Sequence, residues 1–196
     1  MHSTNHVKSL VLIAMFASLM AVGANLTSML VIAGVPITLQ TFFAILAGTL
    51  LGSKRGATAM ILYMVIGLIG FPVFSQFHAG LSVLLRPTFG FILSFIVVAY
   101  VAGKIIEKSN KKSLQTFMYA SLLGLVINYI IGTNYMYFAF QFLAATDAIP
   151  YSAAWLVMLA PAIKDIIFTC MAAILAKRIY ETVQTKQHPM KQTITP

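Results

Sequence analysis

Long apolar stretches alternate with short basic clusters along this chain. The stretches run from Val7 to Ala33, Leu39 to Leu51, Gly56 to Phe71, Thr88 to Gly103, Thr116 to Phe142 and Tyr151 to Ala176. A helix needs about 20 apolar residues to cross the ~30 Å hydrocarbon core of a bilayer. The first, fifth and sixth stretches are long enough as they stand. The second reaches span length only from near Ile37, and the third is short, with Gly67 and Gly70 inside it. With 60% apolar and only 9% charged residues, the chain cannot cover itself as a water-soluble globule does. A membrane β-barrel fails too, because its strands alternate polar and apolar residues. A secretory signal peptide is not expected over 7–33: the run is too long and no small-residue cleavage site precedes Val35-Pro36. The expected architecture is an all-α membrane protein of six transmembrane helices. Residues 1–185 form one integral membrane domain, and the polar tail 186–196 is expected to be disordered.

The formal net charge is +9, and its placement decides what it means. Eleven of the thirteen Lys/Arg residues fall at Lys8, at Lys54 and Arg55, at Lys104, Lys108, Lys111 and Lys112, and at Lys177, Arg178, Lys186 and Lys191. Apolar spans separate these clusters, so they build no continuous face for nucleic acid. Six crossings put all eleven on one side, with both termini. The positive-inside rule makes that side cytoplasmic, in a multi-pass protein of the cell membrane. Five or seven crossings would split the clusters.

Chemistry is scarce. No phosphate-binding G-x-x-x-x-G-K-[ST] loop exists, and Gly103-Lys104 is followed by Ile105. The single cysteine, Cys170, excludes an internal disulfide and Cys-based metal clusters. Of four carboxylates, Glu107 and Glu181 lie among cytoplasmic basic residues and read as solvated. No nucleophile–base or metal constellation stands out, so no catalytic residue, metal site or cofactor is expected. Any ATP-driven work must come from another subunit.

Some polar residues demand a reason. Lys164 and Asp165 sit inside an apolar span, where charge is costly and marks a cavity or a partner. Adjacent helical residues point about 100° apart, so Lys164 is expected to snorkel outward while Asp165 faces a cavity. The alternative is a structural ion pair, with Arg86 as the partner. Pro161, four residues before Asp165, loosens the helix there or starts its inner half. Arg86 at the outer end of the fourth span is either a carboxylate clamp or a headgroup residue. His78 and Gln76 lie in the apolar outer loop 71–85, which could cover a pocket. Asn128, Tyr129, Asn134 and Tyr135 cluster on the fifth span. Ala14-x-x-x-Ser18 and Ala17-x-x-x-Ala21 on the first helix permit close helix approach, within the protein or with a partner.

The run Pro36-Ile37-Thr38-Leu39-Gln40-Thr41-Phe42, then Ala47-Gly48, Leu51-Gly52 and Gly56-Ala57, resembles the BioY family. Those are the biotin-binding S components of energy-coupling-factor (ECF) transporters. The likeness continues through Gly67-Leu68-Ile69-Gly70-Phe71-Pro72-Val73-Phe74, Gly80, Pro87-Thr88, Gly90-Phe91, Gly132, Asp165 and Ala172-Ala173. It covers roughly residues 10–180. The resemblance implies six membrane helices and an outer-face substrate pocket capped by loops. It implies biotin as the ligand, and transport only with a membrane coupling subunit and two ATPases. Ala14, Ala17, Ser18 and Ala21 would then form the docking surface for the coupling subunit. Two departures stand out. The family usually has Gly-Pro-Thr/Ser-Gly-Gly where this chain reads Arg86-Pro87-Thr88-Phe89-Gly90. It usually has Gly-Asp, then Lys three residues after the Asp, where this chain has Lys164, Asp165 and Phe168. Asp165 matches the family and would accept from a ureido N–H of biotin, with His78 assisting. Arg86 or Lys164 would replace the lost lysine at the carboxylate. The candidate substrate-binding residues are Asp165, Arg86, Lys164, His78, Gln40, Asn128 and Tyr135. The competing expectations are an S component for another small carboxylated ligand, and a membrane scaffold without a ligand.

Overall fold

A computed structural model describes residues 2–32, 35–143 and 148–187. Asp147 and the tail beyond 187, where most of the expected polar segment falls, lie outside the described residues.

Among the described residues the regular structure is helical apart from one minimal hairpin. Helix α1 spans His2–Asn25. Strands β1 (Val31–Ile32) and β2 (Val35–Pro36) pair antiparallel, Val31 opposite Pro36. Helices α2 (Gln40–Leu51) and α3 (Ser53–Leu68) follow, then two 3₁₀ turns, Ser75–Phe77 and Leu81–Leu85. The rest is α4 (Phe89–Lys108), α5 (Leu114–Phe142), α6 (Tyr151–Val157) and α7 (Leu159–Gln187). Among the described residues four segments are long and apolar enough to cross a membrane: His6–Asn25, Phe89–Lys108, Leu114–Phe142 and Leu159–Val183.

Two expected spans are broken, and the breaks have local causes. The apolar run 7–33 does not continue as helix. After Asn25 the chain turns back: the Leu39 amide donates to the Gly23 carbonyl at 2.8 Å and the Thr27 hydroxyl to the Ile37 carbonyl at 2.7 Å. The run 151–176 is two helices, because the chain turns at Met158, whose amide donates to the Trp155 carbonyl. Pro161 falls in the first turn of α7, where its missing N–H costs no helical bond. At α5 the Ser113 hydroxyl accepts from the Thr116 amide and caps the helix.

Helix α4 is central and packs on α5, α3 and α2. Gly48 lets α2 reach the α4 backbone at Ala99, where a Cβ would overlap the Ala99 carbonyl. Helices α2 and α3 share one linking residue, Gly52, at φ 87°, a backbone region that costs a β-carbon. Glu107 is not simply solvated, as its basic neighbourhood suggested. Its carboxylate accepts from the Ser53 amide at 2.7 Å and the Ser53 hydroxyl at 2.8 Å, capping α3 from α4. The core joins Met20 and Ala24 of α1, Ile45 of α2, Met60 and Tyr63 of α3, Val98 and Ala102 of α4, and Phe117 of α5. Leu10, Val11, Val22, Val126, Ile130, Ile163 and Ile167 point outward, as a lipid-facing surface requires.

Candidate ligand-binding site

A cavity of about 340 Å³ lies among the hairpin, the 3₁₀ segment and helices α2, α4, α5, α6 and α7. This is the size range of small-molecule sites. Its wall is largely apolar, with Phe74, Phe91, Ile92, Phe95, Met136 and Met158. Polar groups converge on it from Thr38, Gln40, Gln76, His78, Arg86, Tyr129, Lys164 and Asp165. The hairpin strand and loop after the first break border it with Val35, Pro36 and Thr38, and the break in the sixth run borders it with Val157, Met158 and Pro161. Non-helical backbone at membrane depth is tolerated only where protein or a water-filled cavity satisfies it.

Asp165 is buried, at 7% exposure. One carboxylate oxygen pairs with the Lys164 ammonium at 2.7 Å, and the other accepts from the Tyr129 hydroxyl at 2.8 Å. Lys164 also donates to the Thr38 carbonyl, tying α7 to the segment before α2. Lys164 therefore does not snorkel outward, nor does Arg86 supply the ion pair. The flexible four-carbon stem of Lys164 bends back to its neighbour, so both residues border the cavity despite their divergent Cα–Cβ directions. The charge of Asp165 is neutralised within the protein, as a buried ion requires.

Arg86 is exposed and borders the cavity from the start of the α4 segment. Its backbone is bonded to Val83 and Phe89, but among the described residues its guanidinium has no hydrogen-bond or ion-pair partner. His78 is part-buried, with Nδ1 2.8 Å from the Ser75 carbonyl. A carbonyl only accepts, so Nδ1 carries the hydrogen and Nε2 is left for a further partner. Gln40, the first residue of α2, donates from Nε2 to the Tyr63 hydroxyl at 2.9 Å. That hydroxyl donates in turn to the Val73 carbonyl at 3.1 Å. Asn128 borders the cavity but is committed to bracing helices: Oδ1 accepts from Ser94 of α4 at 2.6 Å and Nδ2 donates to Thr41 of α2 at 3.3 Å.

Tyr135 does not line the cavity. Its hydroxyl donates to the Leu84 carbonyl at 2.5 Å and its ring packs edge-on against Phe89. It holds the 3₁₀ segment onto α5. The Tyr129 contact to Asp165 was not visible in the sequence, because it joins residues 36 apart. Phe168, at the place of the family's lysine, stacks edge-on against Phe42 of α2 and is not among the lining residues.

The small residues of α1 divide between two faces. Ala17 is buried and Ala21 half-buried against the core. Ala14 and Ser18 are exposed, and the Ser18 hydroxyl folds back onto the Ala14 carbonyl at 3.0 Å. That leaves a shallow strip on the outward face.

Residues 1–185 match the BioY family. BioYB of Bacillus subtilis is 44% identical over 175 residues, covering 88% of this chain and 87% of BioYB. The biotin transporter BioY of Rhizobium etli is 31% identical over 180 residues, covering 88% of this chain and 92% of its own length. The crystal structure of the S-component for biotin from an ECF-type ABC transporter shares the fold. Its TM-score is 0.80 at 22% identity, over 92% of this chain and 95% of that one.

Proposed function

The chain belongs to the BioY family, and on that premise we propose that it captures biotin in the cavity at Asp165 and Arg86 and delivers it as the S component of an ECF transporter. The observation that carries this reading is the pairing of a neutralised buried carboxylate with a free cation around one apolar cavity. Biotin is a ureido ring and a carboxylate joined by apolar carbon and sulfur. Asp165 has lone pairs left after Lys164 and Tyr129, so it can accept from a ureido N–H. His78 Nε2 is a second acceptor. Arg86 takes the carboxylate in a two-bond fork. Phe91, Phe95 and Met136 enclose the ring system and chain. Lys164 is the counter-ion of Asp165, which leaves Arg86 as the replacement for the family's lysine.

Six membrane passes, with the broken outer segments completing the second and sixth, place every basic cluster and both termini in the cytoplasm. The cavity then opens outward. The strip at Ala14 and Ser18 receives the membrane coupling subunit, with Ala17 and Ala21 setting the depth of α1 against its own core. Two ATPases supply the energy. No cofactor takes part.

Calorimetric titration of biotin into protein purified without it tests the reading. Tight one-to-one binding, lost in Asp165→Asn and weakened in Arg86→Ala, supports it. No binding by folded wild-type protein overturns biotin as the ligand and directs the search to other small carboxylated molecules.

A further inference from the structure

Gln76 and Phe77 occupy consecutive left-handed backbone positions, at φ 59° and φ 57°, without being glycine. Such a residue costs free energy relative to the right-handed region, and two in succession persist only when their surroundings hold them. The holding groups come from the end of α1, roughly fifty residues earlier. The Phe77 amide donates to Asn25 Oδ1 at 2.8 Å, and the Gln76 amide donates to the Ser28 hydroxyl at 3.2 Å. Asn25 Nδ2 also donates to the Ala21 carbonyl at 3.0 Å and to the Val73 carbonyl at 3.3 Å, on the near side of the same turn. The Ser28 hydroxyl donates to the Asn25 carbonyl at 3.2 Å. The turn carries Ser75, Gln76 and His78 into the cavity wall, whereas Asn25 and Ser28 do not line the cavity.

We propose that Asn25 and Ser28 form a latch that fixes the 75–78 turn in its strained form and thereby sets the closed position of Gln76 and His78 over the ligand. They are positioning residues and touch no ligand. Without the latch the turn relaxes to ordinary backbone angles, His78 leaves the cavity wall, and a bound ligand escapes faster. The consequence for release rests on the biotin reading; the latch itself does not.

Two measurements separate the latch from that reading. The first is hydrogen–deuterium exchange of the 73–80 segment in ligand-free, detergent-solubilised protein. Asn25→Ala, and to a smaller degree Ser28→Ala, should speed exchange there and leave the α4 and α5 peptides unchanged. The second is the biotin release rate. Loss of one such hydrogen bond predicts a roughly five- to tenfold faster release in Asn25→Ala. Glycine pays no β-carbon penalty at positive φ. Adding Phe77→Gly, at an exposed residue outside the cavity lining, to Asn25→Ala should therefore return release to within about twofold of wild type. A general loss of structure would not be repaired by that glycine. Wild-type exchange in both single variants overturns the latch, as does a release defect that Phe77→Gly leaves untouched. If wild-type protein binds no biotin, the exchange experiment still decides the latch while the biotin reading falls.

Discussion

Asp165, Lys164 and Arg86 are charged residues that border the cavity, and their side chains are engaged in unequal ways. Arg86 is free and Lys164 is engaged. Removing Arg86 should therefore cost ligand affinity and little stability. Loss of a charged hydrogen bond is worth about 1.5–3 kcal/mol, so Arg86→Ala should weaken biotin binding by roughly 10- to 150-fold in a titration, with an unchanged melting temperature. Lys164 and Asp165 behave as a pair. Either Lys164→Gln or Asp165→Asn strands a charge in a half-dry wall, whereas the double variant removes both. Thermal unfolding in detergent should show the double variant losing less than the sum of the singles. Additivity would mean that the pair is not coupled. The candidates Asp165 and Arg86 were legible from the sequence because charge in an apolar context is costly. The direction of Lys164 was not legible, because a flexible stem lets neighbouring residues converge on one target 2.7 Å apart.

Helices α2, α3 and α4 set the frame on which those residues sit, and glycine sets their spacing. At Gly48 a Cβ would overlap backbone of Ala99, which cannot swing aside as a side-chain tip can. Overpacking of this kind costs about 1–3 kcal/mol. Gly48→Ala should lower thermal stability clearly more than Gly124→Ala, whose nearest neighbour is the Val98 side chain at 3.2 Å. Gly52 is a separate test, since its φ of 87° disfavours any β-carbon. Gly52→Ala should destabilise by about 1 kcal/mol, read by the same unfolding assay. The positions of the helices followed from apolar runs in the sequence. Their ends did not, as the turn after Asn25 and the break at Met158 show. The bond from the Leu39 amide back to the Gly23 carbonyl holds the first, and a tight turn at Met158 makes the second.

At the scale of the whole molecule, the cavity and the α1 strip are separate surfaces. Ala14 and Ser18 face outward from the bundle, while the cavity is walled by the other elements. Bulk on the strip should spare capture and stop delivery. Ala14→Trp with Ser18→Trp is expected to leave biotin affinity within about twofold of wild type while abolishing uptake into cells carrying the ATPases and coupling subunit. Equal loss of binding and uptake would place the strip's role inside this chain. The topology has its own check. In a Cys170→Ser background, a single cysteine at Ser109 should react with a thiol reagent only after the cytoplasmic side is opened, and one at Phe77 should react from outside.

Apolar runs in the sequence alone marked this as a helical membrane protein, because lipid accepts little else, and eleven clustered cations set the orientation to be expected, because charge resists crossing it. Glu107, Tyr135 and Asn25 belong to the tertiary structure. A side chain that caps a neighbouring helix, anchors a turn or latches a loop is recognised by what stands opposite it in space. Those partners are 54, 51 and 52 residues away along the chain, and only folding brings them within hydrogen-bond reach.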